Sequence, residues 1–265
     1  MAEETCVMIV DDEEINREML RYILSPHVSS LLVAANGEEA LSLLAQNRQV
    51  DVILLDLEMP ILDGLQTTLQ IRASEQIQGG HIPIIAMTAS ELPEDSERCH
   101  QAGMDAFISK PFNIGDILSV MERVTVASPA LSTPLIKIEA AGGEQHYQPE
   151  ALPETVFNYA GLLTRVGNRK DLINDYVEMF TEEIDVDLPA LERAIMEGDS
   201  SAIARLTHSI KGTTCNIGAE RMCAIGGELA QSARSGTPTD LRPLLASLQV
   251  EYQRFKSVRE QSALP

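Results

Sequence analysis

The residues of this chain that could do chemistry stand where short apolar runs end. Cys6-Val7-Met8-Ile9-Val10 runs into Asp11 and Asp12, and Val52-Ile53-Leu54-Leu55 runs into Asp56. Ile82-Pro83-Ile84-Ile85-Ala86-Met87 ends in Thr88, and Asp105-Ala106-Phe107-Ile108 leads to Ser109, Lys110 and Pro111. Three carboxylates brought together repel one another and need a cation. Hard oxygen donors in a wet, open site suit Mg²⁺, which takes one or two carboxylates, phosphate oxygens and water. A lysine opposite them would pair with one phosphoryl oxygen, and the Thr88 hydroxyl would donate to another. In that setting Asp56 is the nucleophile, forming an acyl phosphate while metal and Lys110 neutralise the transferring charge.

These residues meet only if the chain brings distant strand ends together. The run before Asp56 has no polar interruption, as expected of a strand buried on both faces of a parallel sheet. A bare carboxylate cannot end that run inside an apolar core, so Asp56 must project from the carboxyl end, where open α/β sheets hold ligands. Helical segments fall between the runs: Ile15–Leu24, stopped by Pro26; Ala40–Gln46, behind a capping box at Asn36 and Glu39; one starting at Asp63-Gly64 with Leu65, Leu69 and Ile71 on its apolar face; Glu94–Ala102; and Asn113–Val124. Leu31–Ala34 supplies the remaining strand. Strand and helix alternate five times, which predicts an α/β doubly wound, five-stranded parallel sheet of flavodoxin-like form over residues 1–126.

Residues 127–153 hold Pro129, Pro134, Pro149, Pro153 and Gly142-Gly143 and predict a mostly flexible linker, with Leu135-Ile136-Lys137-Ile138 its one apolar run. Over residues 154–265 the apolar period becomes helical. Leu172, Ile173, Tyr176, Val177 and Phe180 share a face, as do Ile203, Leu206, Ile210 and Ile217 apart from small slips; Leu229 and Ala233 extend a third helix, and Leu241 to Phe255 mark a last one. An all-α four-helix bundle is expected. Within it stands His208, with Lys211 and Gly212 three and four positions on and therefore on its face. Glycine inside a helix costs about 1 kcal/mol relative to alanine; here it would give a partner clearance to the imidazole. Lys211 would supply positive charge beside a phosphorylated ring.

Asp11-Asp12, then Asp56-Leu-Glu-Met-Pro60-Ile-Leu-Asp63-Gly64, then Thr88-Ala89, then Lys110-Pro111 resembles the response-regulator receiver family over residues 4–125. The resemblance implies Asp56 as phosphoacceptor, and Asp11, Asp12, Asp56 and the Glu58 backbone carbonyl as Mg²⁺ ligands. It implies Thr88 and Lys110 as phosphate-sensing groups, Phe107 as a switching aromatic, and a cis peptide before Pro111. His208-Ser-Ile-Lys211-Gly212 with Asn216-Ile-Gly218-Ala219 is similar to the histidine phosphotransfer domain over residues 154–260. That resemblance implies His208 as the phosphorylated residue, supported by Lys211 and Gly212. Together they imply a phosphorelay intermediate whose partners are a sensor histidine kinase and the receiver of another response regulator.

Composition agrees with that class. The formal charge is -20, and the first 126 residues hold 21 of the 40 acids but only 7 of the 20 basic side chains. Neither half offers a basic field for nucleic acid or anionic lipid. No run approaches a membrane span, and the acidic start is unlike a signal peptide. A cytoplasmic protein is expected, with Cys6, Cys99, Cys215 and Cys223 as free thiols. Neither a GxxxxGK[ST] stretch nor a kinase-type nucleotide lid is present, so phosphoryl groups are expected to come from a partner and not from ATP. The rival readings are a receiver-gated protein-binding switch and a phosphate sink without onward relay.

Overall fold

A computed structural model describes residues 5–46, 49–88, 93–126, 136–138, 155–234 and 240–261. The chain forms two compact units, Met1–Gly143 and Glu144–Pro265.

In the first unit, strands β1 (Cys6–Val10), β2 (Ser30–Ala34), β3 (Val52–Asp56), β4 (Ile84–Thr88) and β5 (Ala106–Ser109) alternate with helices α1 (Glu14–Leu24), α2 (Gly37–Gln46), α3 (Gly64–Gln78), α4 (Pro93–Ala102) and α5 (Ile114–Val126). All pairings are parallel, and the order is β2-β1-β3-β4-β5, followed by a sixth strand. β1, β3 and β4 are the central strands, and β3 and β4 are buried throughout, as their uninterrupted Val, Ile and Leu require. The register sets Asp56 beside Met87 and Thr88 beside Ser109, so the functional residues lie on one edge.

Local chemistry fixes the helix starts. Asn36 accepts from the Glu39 amide at 3.0 Å, while the Glu39 carboxylate accepts from Ala35 N at 2.8 Å. Asp63 caps α3 by accepting from Gln66 N at 2.7 Å. One expectation fails here in part. Leu69 is exposed, whereas Ile71 is buried as expected and Leu65 packs half-buried against the core; Gly64, Thr67 and Thr68 complete the buried stripe. The threonines tolerate burial because each hydroxyl donates to a carbonyl four residues back, at 2.7 and 2.8 Å.

The five expected parallel strands are all present, and a sixth joins them. Ile136–Ile138, inside the expected linker, forms β6 and pairs parallel with β5. An Ile-Lys-Ile alternation suits a strand, and β5 would otherwise present an open edge. Ala89 lies outside the described residues.

The second unit is helical: α6 (Tyr159–Arg165), α7 (Lys170–Glu197), α8 (Ser200–Ile217), α9 (Glu220–Arg234) and α10 (Arg242–Gln261). Leu172, Ile173, Tyr176, Val177 and Phe180 are all buried on α7, and Leu206, Ile210 and Ile217 on α8. Phe180 packs edge-on against Phe255 and Tyr252, with centroids 5.0 and 6.4 Å apart. Gly198 closes α7 in the left-handed conformation, and Asp199 then caps α8 by accepting from Ser201 N and Ala202 N.

Candidate functional sites

The acidic cluster lies at the carboxyl ends of β1 and β3. One carboxylate oxygen from each of Asp11, Asp12 and Asp56 falls within 4.8 Å of the other two. Asp11 and Asp56 are buried, at 0% and 2% exposure, and Asp12 is half-buried. Lys110 reaches in from the end of β5, and its Nζ donates to Asp11 Oδ2 and Asp56 Oδ2, each at 2.8 Å. Burial by itself would lower the Lys110 ammonium. The nearby charges of Asp11, Asp56 and Glu13, and the hydrogen bond to Asp11, outweigh it and hold the ammonium well above the usual lysine range.

Thr88 is buried beside this group, and its carbonyl accepts from Lys110 N at 2.6 Å. The Lys110–Pro111 peptide is cis. Phe107 is buried in the core with Met8, Ile53 and Ala86. Glu58 follows Asp56 in the β3–α3 loop, with its side chain in solvent. That loop is held by Leu57 N donating to Met87 O and Gly64 N donating to Leu57 O. Gly64 has no room for a side chain: a Cβ there would lie 2.2 Å from Asp56 O and 2.9 Å from Leu57 Cα.

Three supporting residues escaped the sequence reading. Asn16, fully buried in the first turn of α1, donates to Asp11 Oδ1 at 3.2 Å and to Glu13 Oε2 at 2.6 Å. Arg17 donates through Nη1 to the carbonyls of Asp11 and Asp12, at 2.8 and 2.7 Å. Glu13 adds a fourth, mostly buried carboxylate. A hard, oxygen-rich donor set of this density, balanced by one ammonium, fits a divalent cation such as Mg²⁺.

In the second unit His208 is half-exposed on α8, with Lys211 half-buried one turn on. Gly212 is buried. Next to His208, Ser209 Oγ donates to Asp187 Oδ2 on α7 at 3.2 Å, and Thr213 Oγ1 donates to Glu183 Oε1 at 3.0 Å. Burial pushes the Asp187 carboxyl above the usual range, against the opposing pull of Ser209 and Arg205.

A further expectation is overturned. Cys215 and Cys223 are not free thiols but a disulfide, with Cα atoms 4.8 Å apart. The tight turn at Gly218, left-handed at φ 84°, folds α9 back on α8 and brings the pair within bonding range. Cys6 and Cys99 form no disulfide.

The response regulator receiver domain matches residues 7–122, and the Hpt domain matches residues 175–258. The sensory/regulatory protein RpfC of Xanthomonas campestris pv. campestris is 24% identical over 250 residues, which is 94% of this chain but 33% of RpfC. The chain thus spans about a third of that relative's length. The polar-differentiation response regulator DivK of Brucella anthropi is 37% identical over 108 residues, covering 41% of this chain and 85% of DivK. Among solved structures, the Vibrio cholerae chemotaxis protein CheY4 is 30% identical with a TM-score of 0.43, covering 46% of this chain and 98% of CheY4. The chain belongs to the response-regulator receiver family, with an Hpt domain joined after the receiver. Both modules are phosphotransfer signalling units. No helix among the described residues is long and apolar enough to cross a membrane.

Proposed function

We propose that Asp56 accepts a phosphoryl group from a kinase histidine and that His208 carries one to or from a receiver aspartate. The observation that supports this best is the buried junction of Lys110 with Asp11 and Asp56 at the carboxyl edge of the sheet, 2.8 Å on each side. Mg²⁺, held by Asp11, Asp12, Asp56 and the Glu58 carbonyl, would supply charge neutralisation at the transferring group. The chain's own residues do the rest. Asp56 presents its carboxylate oxygen at the strand end. Lys110, bridging Asp11 and Asp56, is poised to exchange the Asp56 oxygen for a phosphoryl oxygen once the acyl phosphate forms. Thr88 offers a hydroxyl on the neighbouring strand, and Phe107 and the Lys110–Pro111 turn transmit the change.

On α8 the half-exposed imidazole has Lys211 on its face to balance a phosphorylated ring. The partners that suit these surfaces are a sensor histidine kinase and the receiver of another response regulator, in a cytoplasmic setting. The phosphoryl group is expected from those partners and not from ATP. The test is labelling by a small acyl phosphate: wild type should be labelled only with Mg²⁺, and Asp56→Asn should not be labelled. Equal labelling of Asp56→Asn, or indifference to EDTA, refutes the assignment.

A further inference from the structure

The disulfide lies on the stripe that carries the histidine. His208, Lys211, Gly212 and Cys215 stand at i, i+3, i+4 and i+7 of α8 and share one face. The opposing helix meets that stripe in two successive rungs. Cys223, in the first turn of α9, is bonded to Cys215. Gly226, three residues further on, lies against the next turn: a Cβ there would stand 3.2 Å from Lys211 Cα and 3.4 Å from Lys211 N. A glycine rung lets the helices approach closely but has no side chain to key them together. The covalent rung beside it does that. Neither cysteine belongs to the fully buried core; both are partly exposed residues.

We propose that Cys215–Cys223 is a redox-modification site that sets the spacing of α8 and α9 beside Lys211, and so sets the rate at which His208 exchanges a phosphoryl group with a receiver. This rests on His208 being the phosphoryl-bearing residue. The chemistry is exchange with a dithiol reductant. One reductant thiolate attacks a sulfur of the pair, forming a mixed disulfide and releasing the other cysteine as a thiolate, which takes a proton. The second reductant thiolate then attacks the reductant's own sulfur in the mixed disulfide, closing the reductant's disulfide and releasing the second cysteine. Two electrons and two protons pass from the dithiol to the cysteines. The released thiols stay eight residues apart in sequence across the Gly218 turn, so a small disulfide oxidant re-forms the bond by the reverse exchange: one cysteine thiolate attacks the oxidant's disulfide, and the other then closes intramolecularly on the mixed disulfide, releasing the reduced oxidant as its dithiol. The oxidised form holds the docking face ready; reduction frees the rung next to Lys211 and slows transfer.

The experiment uses full-length chains. The donor carries His208→Gln, Cys215→Ser and Cys223→Ser and is phosphorylated at Asp56 with labelled acetyl phosphate. The acceptor carries Asp56→Asn and is assayed oxidised or in dithiothreitol, its thiol state read by alkylation and mass. Label should reach His208 of the oxidised acceptor and arrive roughly five-fold or more slowly in the reduced one, the low end of coupling between distinct sites. An acceptor that also carries Cys215→Ser and Cys223→Ser should be slow in both buffers, with circular dichroism confirming the bundle; should that variant unfold, the reductant comparison on the native cysteines still decides. Transfer in the reduced acceptor as fast as in the oxidised one overturns the proposal and leaves the role of His208 standing. No label on His208 in either state overturns exchange between His208 and this chain's receiver, and the proposal with it.

Discussion

Gly64→Ala tests how tightly the β3–α3 loop is built around Asp56. The added Cβ would lie 2.2 Å from Asp56 O, 2.9 Å from Leu57 Cα and 3.1 Å from Asp56 C. All three are backbone atoms, so no side chain can rotate away. Restoring ordinary carbon–oxygen contact at about 3.4 Å needs a relative shift of about 1 Å, borne by the peptide that carries Asp56. Overpacking of this kind costs about 1–3 kcal/mol, so the receiver should remain folded with its melting temperature lowered by about 4–8 °C per kcal/mol at the small-domain scale. A misplacement of about 1 Å at a reacting group costs on the order of 100-fold in rate. The assay is the initial rate of Asp56 phosphorylation by acetyl phosphate at saturating Mg²⁺, with folding followed by circular dichroism. A folded variant that labels about 100-fold more slowly agrees with the geometry. A folded variant that labels at the wild-type rate shows that Gly64 does not fix Asp56.

Three further outcomes follow from the same structure. Lys110→Ala removes the ammonium between two buried carboxylates, so stability in EDTA should fall by about 3–5 kcal/mol and recover in millimolar Mg²⁺; urea denaturation that is equal in EDTA and Mg²⁺ contradicts the pairing. Asp187 is raised above the usual carboxylate value of 3.8, so the folded chain binds that proton more tightly than the unfolded one, and its contribution is full below pH 3.8 and lost as pH rises through the raised value. Asp187→Asn, which keeps an acceptor for Ser209, should therefore raise the melting temperature at pH 7 and have no such advantage near pH 3.5; a destabilised variant at pH 7 argues against burial as the cause. Separating residues 1–126 from 150–265 at micromolar concentration should slow Asp56-to-His208 exchange, because a tether supplies an effective concentration of about a millimolar; equal rates in cut and intact chains mean that His208 serves a receiver on another protein.

The strand ends were legible because each is a change from a continuous apolar run to a functional polar residue. The parallel topology then forces Asp11, Asp56, Thr88 and Lys110 to one edge. Asn16 was not legible: a polar residue in the first turn of a helix reads as solvent-facing, and only the fold shows both of its donor hydrogens spent on Asp11 and Glu13. α3 misled in part, for a related reason. Leu69 outranks Thr67 and Thr68 in hydrophobicity, yet close approach to α2 selects the narrower stripe; a Cβ on Gly37 would overlap Thr67 Oγ1 at 1.9 Å. β6 was hidden because three residues are too few to show a period. The disulfide was hidden because eight positions of separation say nothing until the Gly218 turn is known. His208 was legible only through its neighbours at i+3 and i+4.

The central claim is that Asp56 and His208 are two stations for one phosphoryl group. The most direct measurement is a time course of labelled phosphate in the intact chain after addition of acetyl phosphate and Mg²⁺, resolved by chemistry: acyl phosphates are lost in alkali, and the acid-labile pool is counted as label that survives alkali and is then lost in acid, as phosphohistidine is. Label should enter the alkali-labile pool first and the acid-labile pool second; His208→Gln should show only the first pool, and Asp56→Asn neither. Acid-labile label that accumulates in Asp56→Asn as fast as in wild type, or alkali-labile label that persists there, would contradict the account.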